Sequence, residues 1–403
     1  MKYKKLVILF FVLTLLISFP GCDSVRKKKI KIGFITSLNE TDAFTKANID
    51  GIQDAIDNSG INSNNLTTIK NVSINTCFDT LAELAENGCE IVFGIGKDFE
   101  DFFVQAATEN PDIHFCILNG NQATNGLDNY HNYSFPEYQT RYMTGVVAAL
   151  KLNDMLENGE ISGSDMQLGY IASYPDAENI SAYSAFYLGA KSICENVVLK
   201  VQYTYSESEK ALNNKAALAL IANGCRIISQ HSYQYKAADV CSSNGISFIG
   251  FLKDSEKYTD NYLCDGLLDM SGCYKYALDV ITDGDDLPAQ WSVAPHSEDS
   301  PFVSILNENS FASKERYDKS IIKIKEKENK LKDGSLKVFD IKNWTVNGEI
   351  VNSTTSDGFE EIYNSEEFIN KTYFMENEIT SNPRFEFRID GIFELNLMDD
   401  YSF

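Results

Sequence analysis

The chain has 403 residues and a formal net charge of −23, from 58 acidic against 35 basic side chains. That balance argues against nucleic acid or anionic lipid as the ligand of the folded part, because both are recognised by clustered Lys and Arg. The length allows two domains with full cores, and the 43% apolar content is that of a globular protein.

Lys2, Lys4 and Lys5 precede an apolar run over 6–19, broken only by Thr14 and Ser18 and closed by Pro20-Gly21-Cys22. The run is too short to cross a bilayer comfortably, and a basic start with a small residue before the break describes an export signal. Gly21-Cys22 resembles the cleavage site of bacterial lipoprotein signals, which implies removal of residues 1–21 and lipidation of Cys22. An uncleaved single-span anchor is the alternative. Either way the folded part is expected outside the cytoplasm, tethered to a cell membrane. Loss of three lysines with residues 1–21 takes the charge from −23 to −26. Residues 22–29 form a basic linker, Arg26-Lys27-Lys28-Lys29, placed to meet the membrane surface.

From residue 30 short apolar runs alternate with amphipathic stretches. A strand is expected over 30–35, then a helix over 43–58 from the spacing of Phe44, Ala47, Gly51, Ile52 and Ile56. A strand over 90–94 leads to a helix over 98–108, whose start Asp98 charges, and a third strand covers 114–118. The same grammar restarts with strands over 168–171, 197–203, 226–229 and 247–251, separated by helices over 181–194, 210–223 and 235–243. Such alternation means parallel sheets with helices on both faces, an α/β fold with two doubly wound units in succession. One more helix is expected over 274–282. Residues 285–312, with Pro288, Pro295 and Pro301, read as a connection between units. A charged helix over 313–332 and a last strand within 336–346 follow. Residues 353–403 form an acidic tail in which Phe385, Phe387, Ile392 and Phe393 imply packing against an unassigned surface.

Signals for catalysis are sparse. The four histidines show no metal-ligand spacing, there is no nucleophile elbow and no Walker loop, and no metal or cofactor is expected. The eight cysteines after Cys22 are irregularly spaced and are expected to be mostly free and buried. Gly94-Ile95-Gly96-Lys97 reads as a tight strand-to-helix turn. More informative are the polar and aromatic residues at the carboxyl ends of expected strands, where doubly wound folds bind ligands. They are Asn39, Asp42 and Phe44 after the first strand, Asn119 after the third, and Gln230, His231, Lys253 and Asp254 in the second unit. Two lobes presenting such loops to each other make a cleft with aromatic faces and a few hydrogen-bonding groups.

The segment Ser134-Phe135-Pro136-Glu137-Tyr138-Gln139-Thr140-Arg141-Tyr142-Met143-Thr144-Gly145-Val146-Val147-Ala148-Ala149 resembles a signature of the basic membrane protein family. So do Gly88-Cys89-Glu90-Ile91-Val92-Phe93-Gly94-Ile95-Gly96 and Asn223-Gly224-Cys225-Arg226-Ile227-Ile228-Ser229-Gln230-His231. Members are lipid-anchored substrate-binding proteins of ABC importers, and the resemblance runs from about Ile30 to Val346. It implies a type I periplasmic-binding fold, two Rossmann-like lobes joined by a three-strand hinge. The expected lobes are 30–135 plus about 255–290, and 136–252 plus about 300–350. It further implies a purine nucleoside or nucleobase in the cleft, handed to an ABC permease with its ATPase subunit. The family's Asp-Lys-Ser-Phe-Asn loop falls on Thr41-Asp42-Ala43-Phe44-Thr45, keeping only the aromatic. Its Ile-Asp-Gly falls on Leu118-Asn119-Gly120, and its Gly-x-Asp-x-Asp on Gly250-Phe251-Leu252-Lys253-Asp254. The expectation is therefore a flat heteroaromatic ligand with Phe44 on one face and Tyr183 or Phe186 on the other, held by a non-enzymatic capture protein. A lipoprotein that signals to a membrane receptor is one alternative. An extracytoplasmic nucleoside-processing enzyme is another, and it lacks a visible carboxylate pair.

Overall fold

The computed structural model describes residues 29–96, 98–123, 126–206, 209–232, 237–252, 261–292, 301–350, 369–370, 373–374 and 387–397. The first lobe opens with β1 (Ile32–Thr36), α1 (Ala43–Asn58), β2 (Leu66–Ile69), α2 (Cys77–Glu86), β3 (Ile91–Ile95), α3 (Glu100–Glu109), β4 (His114–Leu118) and β5 (Tyr130–Ser134). The second lobe runs through α4 (Glu137–Glu157), β6 (Gln167–Ala172), α5 (Ala177–Lys191), β7 (Val198–Tyr203), α6 (Lys210–Ala222), β8 (Ile227–Gln230), α7 (Ala238–Ser243), β9 (Ser247–Phe251) and β10 (Tyr262–Gly266). The chain then returns to the first lobe for α8 (Ser271–Asp283) and β11 (Gln290–Ser292), and back to the second for α9 (Lys314–Lys332). Short hairpins β12 (Thr345–Val346) with β13 (Glu349–Ile350) and β14 (Ile369–Asn370) with β15 (Tyr373–Phe374) precede β16 (Ile392–Glu394).

Two six-stranded sheets result, ordered β11-β5-β4-β3-β1-β2 and β10-β9-β8-β6-β7-β16, with every neighbouring pair parallel. Ignoring β11 and β16, the two orders are the same winding. The inner strands β1, β3, β6 and β9 are buried on both faces, which is why they read as near-continuous apolar runs.

All three passages between lobes leave from strand carboxyl ends: after Ser134, after Gly266 and after Ser292. The second passage is later than expected. Tyr262–Gly266 pairs with β9 in the second sheet, so the stretch from about 255 does not all belong to the first lobe. Asp265, a carboxylate buried inside Tyr262-Leu263-Cys264-Asp265-Gly266, masks the strand in the sequence pattern. The expected last strand within 336–346 is also corrected. Val338, Phe339, Ile341 and Trp344 fill the second core from irregular backbone, and only Thr345–Val346 pairs, in the hairpin turned by Asn347-Gly348.

Tyr274, delivered by the second passage, locks α8 into the first lobe. Its ring meets Phe34, Phe93 and Phe135 edge-on, and its hydroxyl donates to Asn48 Oδ1 at 2.6 Å. The eight cysteines after Cys22 are free thiols, seven of them buried. Among the described residues no helix is long and apolar enough to cross a membrane.

Candidate binding cleft

In an open doubly wound sheet, ligands bind where the winding reverses direction, beyond the carboxyl ends of the strands. Here those points lie between β1 and β3 in the first lobe and between β6 and β8 in the second. The passages all start from the same carboxyl edges, so these edges adjoin the hinge.

The first lobe places Asn39, Asp42 and Phe44 at its reversal point. Asn39 shapes the loop: its Oδ1 accepts from the Thr41 backbone N–H at 2.9 Å and hydroxyl at 2.7 Å, and its Nδ2 donates to Asn71 Oδ1 at 3.0 Å. Asp42 caps α1, accepting from Thr45 N at 2.8 Å. Phe44 is half-buried and packs its inner side on the first-lobe core. Gly94 and Gly96 are explained by packing, since a Cβ at either would meet the ring of Phe103 or Phe99 at 2.1–2.5 Å. They make room for aromatics and not for a phosphate.

Asn119 and Leu252 occupy equivalent places in the two lobes, each the first residue after the fourth-wound strand. Both are left-handed, with φ of 54° and 51°. Each backbone N–H donates to the next strand over, Asn119 to Tyr133 O at 2.8 Å and Leu252 to Gly266 O at 3.0 Å. Asn tolerates this conformation; Leu does not, and such strain is found where a site dictates the backbone. Lys253 and Asp254, which follow, lie outside the described residues, as does Cys22.

The second lobe brings Gln230 and His231 together with a residue that sequence reasoning passed over. Arg141, one turn into α4, is 1% exposed. Its Nη1 donates to Gln230 O and its Nη2 to His231 O, both at 2.9 Å, while Nε donates to Glu137 Oε1 at 2.7 Å. Its guanidinium carbon sits 3.5 Å from the centre of the Phe251 ring. One side chain thus ties the hinge helix to the ends of β8 and β9. Glu137, at the start of the same helix, is the counterion of this group. The Glu137/Arg141 spacing of four places opposite charges on one face of α4, a local signal for the ion pair but not for the carbonyl partners.

The expected second aromatic face is corrected. Tyr183 and Phe186 are fully buried. Tyr183 donates to Glu394 Oε1 at 2.8 Å, and Phe186 packs on Tyr170 under the sheet. Helix α5 starts four residues earlier than expected, at Ala177, and is buried on nearly every face, so both rings lie in the core. The half-buried aromatics at this carboxyl edge are instead Tyr174, after β6, and Tyr205, after β7, with ring centres 6.5 Å apart in an edge contact. Tyr205 is left-handed too, at φ 52°. Helix α5 is capped by Asp176 as α1 is by Asp42, so both helix N-termini at these edges already face a carboxylate.

Burial holds the His231 imidazole down at about 4 against a usual 6.5, and does the same to His131. His131 Nδ1 lies 2.9 Å from the carbonyl of Pro288, which only accepts, so Nδ1 carries the proton and Nε2 accepts from His114 Nδ1 at 2.9 Å. Both rings are neutral when folded, whereas the unfolded chain protonates them below about 6.5. Stability is therefore expected to fall between about pH 6.5 and 4, by up to about 3 kcal/mol per ring. Urea titrations across this range check it. His131→Gln should flatten the slope.

The family model described as "ABC transporter substrate-binding protein PnrA-like" (Bmp) matches residues 31–279. The chain belongs to this family. Two curated relatives share parts of it with this Bmp member: a purine-binding protein of Brucella abortus, 29% identical over 48% of this chain and 52% of that protein, and a putative ABC transporter glucose-binding protein of Haloferax volcanii, 25% identical over 50% and 48%. The chain thus spans about half the length of these relatives. A solved ABC transporter solute-binding protein from Conexibacter woesei superposes with a TM-score of 0.58 at 15% identity, covering 76% of this chain and 98% of its own, which speaks to the fold. The Bmp match ends inside α8, so β11, α9 and β16 lie beyond it.

Proposed function

We propose that this Bmp-family protein is an extracytoplasmic, lipid-anchored capture protein that closes its lobes on a neutral, flat solute, a purine nucleoside or nucleobase, and passes it to an ABC permease. The observation that carries the reading is a half-buried aromatic at each winding reversal: Phe44 on one lobe, and on the other Tyr174 with Tyr205 of the adjacent strand end beside it. A planar base entering between them is gripped on both faces. The carboxylate caps Asp42 and Asp176 disfavour an anion at either helix N-terminus, so a nucleoside fits and a nucleotide does not. Arg141 adds no free positive charge, because it is committed to backbone carbonyls and Glu137. The side chains at the edges hold loops in shape, which suits binding by hinge closure and not covalent chemistry. The name of the Brucella relative is consistent with this ligand class.

Calorimetry against nucleosides, nucleobases, nucleotides and sugars tests the reading. Purine nucleosides or bases are expected to bind, and their 5′-phosphates to bind at least about tenfold more weakly. Phe44→Ala should weaken purine binding by about 1–3 kcal/mol, the usual worth of one stacked aromatic. Tight glucose binding with no purine binding would transfer the ligand of the Haloferax relative to this chain and end the purine proposal.

A further inference from the structure

The acidic tail, left without a role by the sequence and outside the Bmp match, returns to the second lobe at its cleft edge. Strand β16 pairs with β7 in register Ile392↔Leu199, Phe393↔Lys200 and Glu394↔Val201. Beyond the strand the pairing continues through a side chain. Asn396 Oδ1 accepts from Tyr203 N at 2.8 Å, and Asn396 Nδ2 donates to Tyr203 O at 2.9 Å, so the amide substitutes for a peptide group of a longer strand. The backbone carbonyl of Asn396 then accepts from the Tyr205 hydroxyl at 3.0 Å. Upstream, the Glu394 carboxylate takes hydrogen bonds from Tyr183 and Tyr203 and pairs with Arg388.

We propose that residues 387–397 are a strap that forms part of the binding face, with Asn396 as the positioning residue for Tyr205. The inference rests on the reading of Tyr205 as a ligand-facing aromatic. Tyr205 is bulky and left-handed, a conformation that persists only where its surroundings dictate it. Two bonds do so: its N–H donates to Ser173 O at 2.8 Å from the end of β6, and its hydroxyl donates to Asn396 O from the tail. The first comes from within the family-matched region and the second from outside it. The strap therefore gives this member a ligand edge that the matched region alone does not specify.

The test uses the full chain and two variants, Asn396→Ala and Tyr205→Phe, with amide hydrogen exchange and calorimetry on the ligand found in the panel above. Asn396→Ala should speed exchange of the Tyr203 amide and weaken ligand binding about five- to tenfold, the range expected for lost hydrogen bonds. Tyr205→Phe keeps the ring and removes only the bond to the strap. It should weaken binding by a smaller factor and leave the Tyr203 amide protected. If both variants bind as tightly as the wild type while Asn396→Ala melts lower, the strap serves stability alone and the inference fails. Unchanged exchange at Tyr203 in Asn396→Ala also overturns it. Should the wild type bind no purine, the ligand reading falls by itself. The strap is then judged on exchange, where faster exchange confined to residues 203–205 supports it and its absence does not.

Discussion

Arg141→Met is expected to destabilise the protein by about 3–5 kcal/mol, the cost of removing one partner of a buried ion pair. That corresponds to a melting temperature lower by roughly 10 °C for a lobe of this size. The substitution keeps most of the apolar stem but removes the guanidinium from the Phe251 ring and strands three acceptors at once: Gln230 O, His231 O and the Glu137 carboxylate. Surface ion pairs are worth far less, and the burial of Arg141 decides which regime applies. Arg141→Lys should recover only a minor part, because an ammonium is a point donor and cannot span two carbonyls and a carboxylate as the planar fork does. Thermal melts of both variants, with Glu137→Gln and the double variant, check the claim. Coupling between Glu137 and Arg141 below about 0.5 kcal/mol would contradict it. Ligand affinity should fall along with stability, since the loop carrying Gln230 and His231 hangs from this side chain.

The sequence made the winding legible because parallel strands buried on both faces leave uninterrupted apolar runs, as in Ile32–Thr36 and Ser247–Phe251. It also placed Phe44, Asn119, Gln230 and His231 at the carboxyl edges, because strand ends follow directly from those runs. It missed Leu66–Ile69, whose residues are half-exposed, and Tyr130–Ser134, where Tyr, His and Asn are buried without an apolar pattern. The error at Tyr183 and Phe186 has a different origin. Helix α5 is buried almost all round, with polar Asn179, Ser181 and Ser184 inside, so periodicity does not say which face meets the cleft. Arg141 was hidden because its partners are backbone carbonyls 89 and 90 residues away, which no local spacing reveals. The tail strand was hidden for the same reason: Asn396 meets Tyr203 across 193 residues.

Two glycines let α5 approach α4 closely, and they carry the second large prediction. A Cβ on Gly145 of α4 would lie 1.9 Å from Phe186 O, and one on Gly189 of α5 would lie 1.9 Å from Tyr142 O. The two helices therefore touch backbone to backbone. Propensity alone says that Gly145→Ala should stabilise α4 by about 0.5–1 kcal/mol. Overpacking says the opposite, by about 1–3 kcal/mol or more. The steric effect wins because the obstructing atom is a helix carbonyl, which cannot rotate away as a side-chain tip can. Gly145→Ala is thus expected to be net destabilising by about 1–2 kcal/mol, and the double variant with Gly189→Ala by more than either alone. Guanidinium titrations with an unchanged m-value measure it. The displacement also reaches the cleft. Gly145 lies one turn after Arg141 on α4, and α5 begins at the Asp176 cap beside Tyr174. Forcing the helices apart shifts the anchor of the β8 loop against the aromatic edge, so ligand affinity should drop even though neither glycine faces the ligand. A stabilised Gly145→Ala protein with full affinity would mean that the helices have slack the packing does not show.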